Sequence, residues 1–314
     1  MKTTSTLFAL LAMAGSAFAQ SSVTISGRID LNVGKDSGAS TLRMKNGAIS
    51  NLTFSGTEDL GGGNSAFFTL SSRLNPDNGT INAGFNAAPG TFWTQNSFVG
   101  IGGDFGSIKL GRQFSGALMP QILADPWFWD NTTGAFMIGT GGVSTVWLNN
   151  AVTYSISKSG FTFNAQVADK ADNLGWSGTA NKTPYSTSLG YNQGPLGLWV
   201  GYEKPADGIS KWTTAFASYD FGALTVRGNI NGGTNYLGQS VRSWLASSTI
   251  PVGRDNVRVS YGQWKVAGVD QSNKLAAGYY HTLSKRTSIY ANYGYDSKVA
   301  ASKSAFELGV QHTF

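Results

Sequence analysis

The side chains of this 314-residue sequence best able to do chemistry are mostly basic, and they recur among apolar neighbours at a spacing of two. Arg28 lies in a segment where Val23, Ile25, Ile29, Leu31 and Val33 share one parity and Thr24, Ser26, Arg28, Asp30 and Asn32 the other. Arg73 alternates with Phe68, Leu70 and Leu74, and Arg258 with Val257 and Val259; Lys109 and Arg227 follow the same rule. That period belongs to a strand with one dry and one wet face. Guanidinium groups on a wet face do not shuttle protons near neutral pH; they set up a field. Nucleophilic chemistry has little to draw on, because there is no cysteine and there are two histidines. His312 shares the apolar parity of its segment, and His281 shares that of Leu275 and Tyr279 just before the turn at 283–286. Neither has the serine and acid context of a hydrolase. No signal proposes paired carboxylates for glycoside cleavage, and no glycine loop leads into a helix to cradle phosphate. The expectation is no catalytic site, no metal and no cofactor.

The elements that must position these charges read as strands throughout. Phe306, Leu308, Val310, His312 and Phe314 alternate with Glu307, Gly309, Gln311 and Thr313, and similar alternation covers 161–167, 196–202 and 257–261. A terminal strand of this kind suggests a sheet closed on its own first strand. In hydrocarbon such closure is compulsory, since an open edge leaves N–H and C=O groups unpaired. Charged residues make up only 13% of the chain, about half the usual globular share, so much of the outer surface need not face water. After the N-terminal region no apolar run is long enough for a spanning helix. Met1 and Lys2, the apolar stretch 6–14 and Ala17, Phe18 and Ala19 fit a secretory signal peptide, cleaved to leave residues 20–314 as one domain. The formal net charge of +6 is scattered along the chain with no basic cluster beside stacking aromatics, so nucleic acid is not an expected partner.

Connections carry the architecture. Tight glycine-bearing or polar turns at 59–63, 103–106, 158–160, 192–195, 220–222, 251–256 and 284–286 alternate with longer polar stretches. The latter run over 34–47, 75–90, 115–145, 170–183, 203–210, 231–239, 265–273 and 296–302. Short turns on one side and long loops on the other mark a membrane meander of about sixteen strands, wide enough for an aqueous channel. The fold class is therefore all-β, a 16-stranded antiparallel transmembrane β-barrel.

The stretches 54–63 and 98–113 resemble the corresponding hairpins of Gram-negative general porins of the beta-proteobacterial type, 149–154 resembles the strand after their constriction loop, and Phe314 resembles their assembly signal. The resemblance spans 20–314. It implies an outer-membrane homotrimer, exported through the periplasm and inserted by the barrel-assembly machinery, in contact with lipid and lipopolysaccharide. It also implies passive diffusion of ions and small hydrophilic solutes, and a third loop folded into the lumen. The residues support that loop separately: 115–145 is the longest connection, and Asp125, Pro126, Trp127, Phe128, Trp129 and Asp130 form a middle too apolar for a solvated loop. The alternative is packing at a subunit contact.

Wall bases Arg28, Arg73, Lys109, Arg227 and Arg258 would face loop acids Asp125 and Asp130 across the pore. Arg112 has the parity of Ile108 and Leu110; the resemblance places it in the basic cluster, which requires a bend at Gly111. Asn51, Ser55 and Trp147 stand where the resembling proteins commonly have basic residues, so the expectation is mild anion preference at most. Trp127, Trp129 and Trp147 would offer aromatic surface to sugars or organic acids. A plugged structural or adhesive barrel, and a barrel-embedded hydrolase, are the rival readings.

Overall fold

Alternating apolar and polar residues become one closed sheet in the computed structural model, which describes residues 22–88 and 90–314; the expected leader at 1–19 lies outside them. The order is β1 (Ser22–Lys35), β2 (Arg43–Asn46), β3 (Ser50–Gly61), β4 (Asn64–Asn75), β5 (Thr80–Ile81), β6 (Ser97–Gly103) and β7 (Gly106–Phe114). Two one-turn helices follow, α1 (Leu118–Ile122) and α2 (Phe136–Thr140), then β8 (Trp147–Lys158), β9 (Phe161–Ala168) and a 3-10 turn at Gly175–Ser177. The chain continues through β10 (Tyr185–Gln193), β11 (Leu196–Lys204), β12 (Lys211–Asp220), β13 (Thr225–Thr234) and β14 (Ser240–Val252). It ends with β15 (Asp255–Val266), β16 (Val269–Thr282), β17 (Thr287–Asp296) and β18 (Ser304–Thr313).

Both β2 and β3 pair with β1, so they are one wall strand broken at residues 47–49, and β5 is a two-residue stub beside β4. Discounting those two leaves sixteen wall strands, each antiparallel to its neighbours. Closure runs from Arg28 opposite Thr313 to Lys35 opposite Phe306. Gly27 and Phe314 extend it, each donating its N–H to the other's carbonyl at 3.1 Å. Among the described residues the sheet has no free edge strand, which is what a sheet in hydrocarbon requires.

The two faces separate by polarity. Val23, Ile25, Val99, Ile101, Leu110, Val152, Val200, Ile230, Leu275 and Leu308 stand exposed on the outside, while Asp30, Asn32, Thr153, Gln166, Asn229 and Glu307 are buried inside. An apolar outer band with a polar interior is the distribution of a transmembrane barrel. Among the described residues no helix is long and apolar enough to cross a membrane, and the barrel crosses with strands instead.

Three of the expected long loops are shorter than their polarity suggests. The stretch 265–273 is a hairpin whose turn is Ala267 and Gly268, both at positive φ, with Val266 opposite Val269. The backbone twist of such a two-residue turn matches the strands it joins. In the stretches 203–210 and 231–239, β11 runs on to Lys204 and β13 to Thr234, so the loops shrink to 205–210 and 235–239. Beyond the hydrocarbon a paired strand needs no apolar face, so polar composition alone does not identify a loop. The sequence also gave no sign of the one-turn helices in the third loop.

Candidate functional site

The connection between β7 and β8 turns inward and lies on the far wall. Glu203 of β11 holds both of its ends. One carboxylate oxygen accepts from the Ser115 and Ser144 hydroxyls at 2.8 and 2.9 Å, the other from the Thr145 N–H and hydroxyl at 2.7 and 2.6 Å. Between those ends, Leu123, Ala124, Ala135 and Ile138 pack on Trp199, Phe216, Leu245 and Trp264 of the wall. Wall side chains supply the donors that loop carbonyls need: Asn229 to Gln121 at 3.1 Å, Trp212 to Gly139 at 3.1 Å, and Lys274 to Gly134 at 2.7 Å. An apolar loop of this length thus packs within its own barrel.

The tip holds the candidate constriction. Arg28 donates to Asp130 at 2.9 Å and to the Ile49 carbonyl at 2.7 Å, so the break between β2 and β3 turns backbone toward the charge pair. The Arg28 side chain is 29% exposed and that of Asp130 is 9%. Burial pushes the Asp130 carboxyl up to about 6, against the opposing pull of Arg28, the Ile49 N–H and Arg73. Arg258 donates to the Pro126 carbonyl at 3.0 Å and lies 3.8 Å over the Tyr280 ring. Following the wall from β13 through β15 and the β18–β1 seam to β4 meets Arg227, Arg258, Arg28 and Arg73 in turn, each half-buried, so these four form one basic arc. Lys109 sits apart, 5.7 Å over the Phe98 ring, in a cavity shared with Asn96, Gln113, Thr153 and Asn164. Among the described residues Arg28 alone of the six wall bases makes an ion pair.

Several expected roles change. Asp125 is fully buried and accepts from the N–H groups of Trp127, Trp129 and Ala135 at 2.9, 3.1 and 2.6 Å. It ties the loop's tip together and presents no carboxylate to the lumen. Trp127, 2% exposed, donates to Asn292 at 3.1 Å behind the loop, and Trp147 is buried against Phe114, so neither offers a face to solutes. Trp129 packs edge-on to Phe136. The exposed aromatic of this loop is Phe128, at 53%, whose positive φ swings it away from its buried neighbours.

Arg112 does turn inward, because Gly111 takes φ +130° at a bulge where a Cβ would collide with the Ser97 carbonyl. Its guanidinium is nonetheless taken up by structure. It donates to Thr94 O at 3.2 and 2.7 Å, Asn86 O at 3.1 Å, Phe85 O at 2.6 Å and Asn149 Oδ1 at 2.6 Å. It pins the second loop over the barrel and is closed off from the lumen. Glu203, Lys274, Asn292 and Glu307 were not singled out by sequence reasoning. Inward parity on a strand was the only signal that could have found them, and it marks dozens of polar residues equally.

A family model described as Gram-negative porin matches residues 6–301. Outer membrane porin protein 32 of Delftia acidovorans is 30% identical over 342 aligned residues, covering 99% of this chain and 93% of that protein. An outer membrane porin protein of Bordetella pertussis is 28% identical, covering 100% of both. Among solved structures, an anion-selective porin from Comamonas acidovorans superposes with a TM-score of 0.79 at 23% identity, over 94% of this chain and 100% of that one. OmpT of Vibrio cholerae in a trimer form gives 0.69 at 13% identity, over 94% and 99%.

Proposed function

The chain belongs to the Gram-negative porin family, and we propose that its outer-membrane diffusion channel is a homotrimer with mild anion preference, set where the third loop meets the basic arc. The observation that carries the selectivity is the imbalance of accessible charge. Arg28, Arg73, Arg227 and Arg258 stand half-buried along the lumen wall, and Asp130 is the loop acid that meets them. The remaining acids nearby, Asp30, Asp125 and Glu307, are fully buried and occupied by hydrogen bonds. A passing ion meets guanidinium before carboxylate. The buried acids still offset part of the field, which keeps the preference mild. Screening over ~8 Å at physiological salt confines the effect to the narrow zone.

The anion-selective porin of Comamonas and the trimeric OmpT support the same reading by analogy of fold. Export on a leader cleaved after residue 19, insertion by the assembly machinery through Phe314, and contact with lipid and lipopolysaccharide complete the proposal. Single-channel recording in a planar bilayer tests it: conductance steps in threes, and a reversal potential in a salt gradient displaced toward the anion's equilibrium value, are expected. A silent bilayer overturns the channel reading, and a displacement toward the cation's value overturns the selectivity.

A further inference from the structure

Phe128 is the outlier of the constriction. It is 53% exposed on a loop packed inside the barrel, so its ring stands in the water of the lumen. Its neighbours turn the other way: Trp127 donates to Asn292 of β17, and Trp129 packs on Phe136. Two backbone turns hold this arrangement, with the Phe128 N–H donating to the Asp125 carbonyl and the Asp130 N–H to the Trp127 carbonyl, each at 3.0 Å. The turns need φ of +53° at Phe128 and +67° at Trp129, a region that bulky side chains avoid and glycine enters freely. A lone exposed phenylalanine is ordinary on a protein surface. Two strained aromatic residues in succession at the tip of a constriction loop are not, and strain of this kind collects where a side chain has to be aimed.

The ring is aimed beside the basic arc. Two residues before it, the Pro126 carbonyl accepts from Arg258; two residues after it, Asp130 accepts from Arg28. Two residues span roughly 7 Å, so the ring and both guanidinium groups border the same short stretch of lumen. Each guanidinium keeps a nitrogen for a passing solute. Arg28 spends Nε and Nη2 and Arg258 spends Nε and Nη1, while Arg28 Nη1 and Arg258 Nη2 have no partner among the described residues. Neither of these two nitrogens is buried, so both open onto water.

We propose that Phe128 is a specificity residue of the channel, favouring anions that carry a flat apolar ring: the carboxylate is drawn to the arc at Arg28 and Arg258 while the solute's ring packs on Phe128. A guanidinium suits a carboxylate, and paired aromatic rings gain beyond the area they bury. The proposal rests on the channel reading and names a solute class for it: aromatic carboxylates dwell at the constriction longer than aliphatic ones of equal charge, and hold back other anions while they do.

The test uses the assembled protein in a planar bilayer carrying chloride current, with benzoate or acetate added at constant ionic strength. In the wild type, benzoate should reduce the current saturably at roughly one-tenth the concentration that acetate requires. F128A should bring the two half-saturation values to within about twofold of each other, and so should F128Q, which loses the ring while largely filling its place. F128Y keeps the ring and should keep the preference. Conductance steps in each variant certify that it has assembled. Absence of steps in the wild type sinks the channel reading itself; steps with benzoate acting no better than acetate sink only the role of Phe128. A benzoate preference that survives in F128A and F128Q overturns the assignment.

Discussion

Asp130 is the residue on which the pore's charge turns. Its carboxyl, ordinarily near 3.8, is held at about 6 by burial at the loop tip, with Arg28, Arg73 and the Ile49 N–H facing it. The folded protein therefore binds this proton more tightly than the unfolded chain. The stabilising contribution is complete below about pH 4 and is lost as pH rises through 6. Neutral Asp130 also leaves the arc less opposed, so the anion-to-cation permeability ratio should rise as pH falls from 7.5 to 5, with a midpoint near 6. Reversal potentials measured across that range check this, and D130N should show the acidic value at every pH. Arg112 behaves differently. R112A strands the carbonyls of Phe85, Asn86 and Thr94, a loss of about 2–4 kcal/mol, and should expose the second loop to protease. Its reversal potential should move less than that of R28Q. Parity in the sequence was enough to send Arg28, Arg73 and Arg258 inward. It could not distinguish Asp130 from Asp125, because which of two acids five residues apart is swallowed depends on backbone turns at Phe128 and Trp129 with no periodic signature.

At the scale of elements, the third loop behaves as a strap fastened at its root. Glu203 takes four hydrogen bonds from the two ends of the strap, so truncating it strands buried donors on both. E203A should raise open-channel current noise and lower the voltage at which the channel closes, with E203Q intermediate because it keeps one good acceptor. Single-channel traces decide it; noise equal to wild type would mean that apolar packing against Trp199, Phe216 and Leu245 suffices. The loop's existence was legible as an apolar middle in the longest connection. Its anchor was not, since Glu203 falls where polar residues near the end of β11 resemble a loop, just as 265–273 did. Strand pairing outside the membrane is fixed by neighbours across the sheet, which a single strand's pattern does not contain.

For the whole molecule, sixteen strands were countable because turn residues recur between them, and closure was foreseeable because both terminal strands have one dry face. The seam is concentrated in few residues: Phe314 exchanges both backbone hydrogen bonds with Gly27, and its ring covers that glycine. Deleting Phe314 should cut the yield of heat-resistant assembled protein severalfold, visible as a mobility shift on unheated gels, with little change in conductance for the fraction that assembles. The strap has a further consequence for the order of events. Trp127 reaches Asn292 and the Thr132 N–H reaches Glu307, partners 165 and 175 positions downstream on the last two strands. Contacts so distant along the chain form late. The narrowing is thus completed late, along with the seam itself, whose pairs from Arg28–Thr313 to Lys35–Phe306 are farther apart still, so the pore reaches its final width only once the last strands are in place.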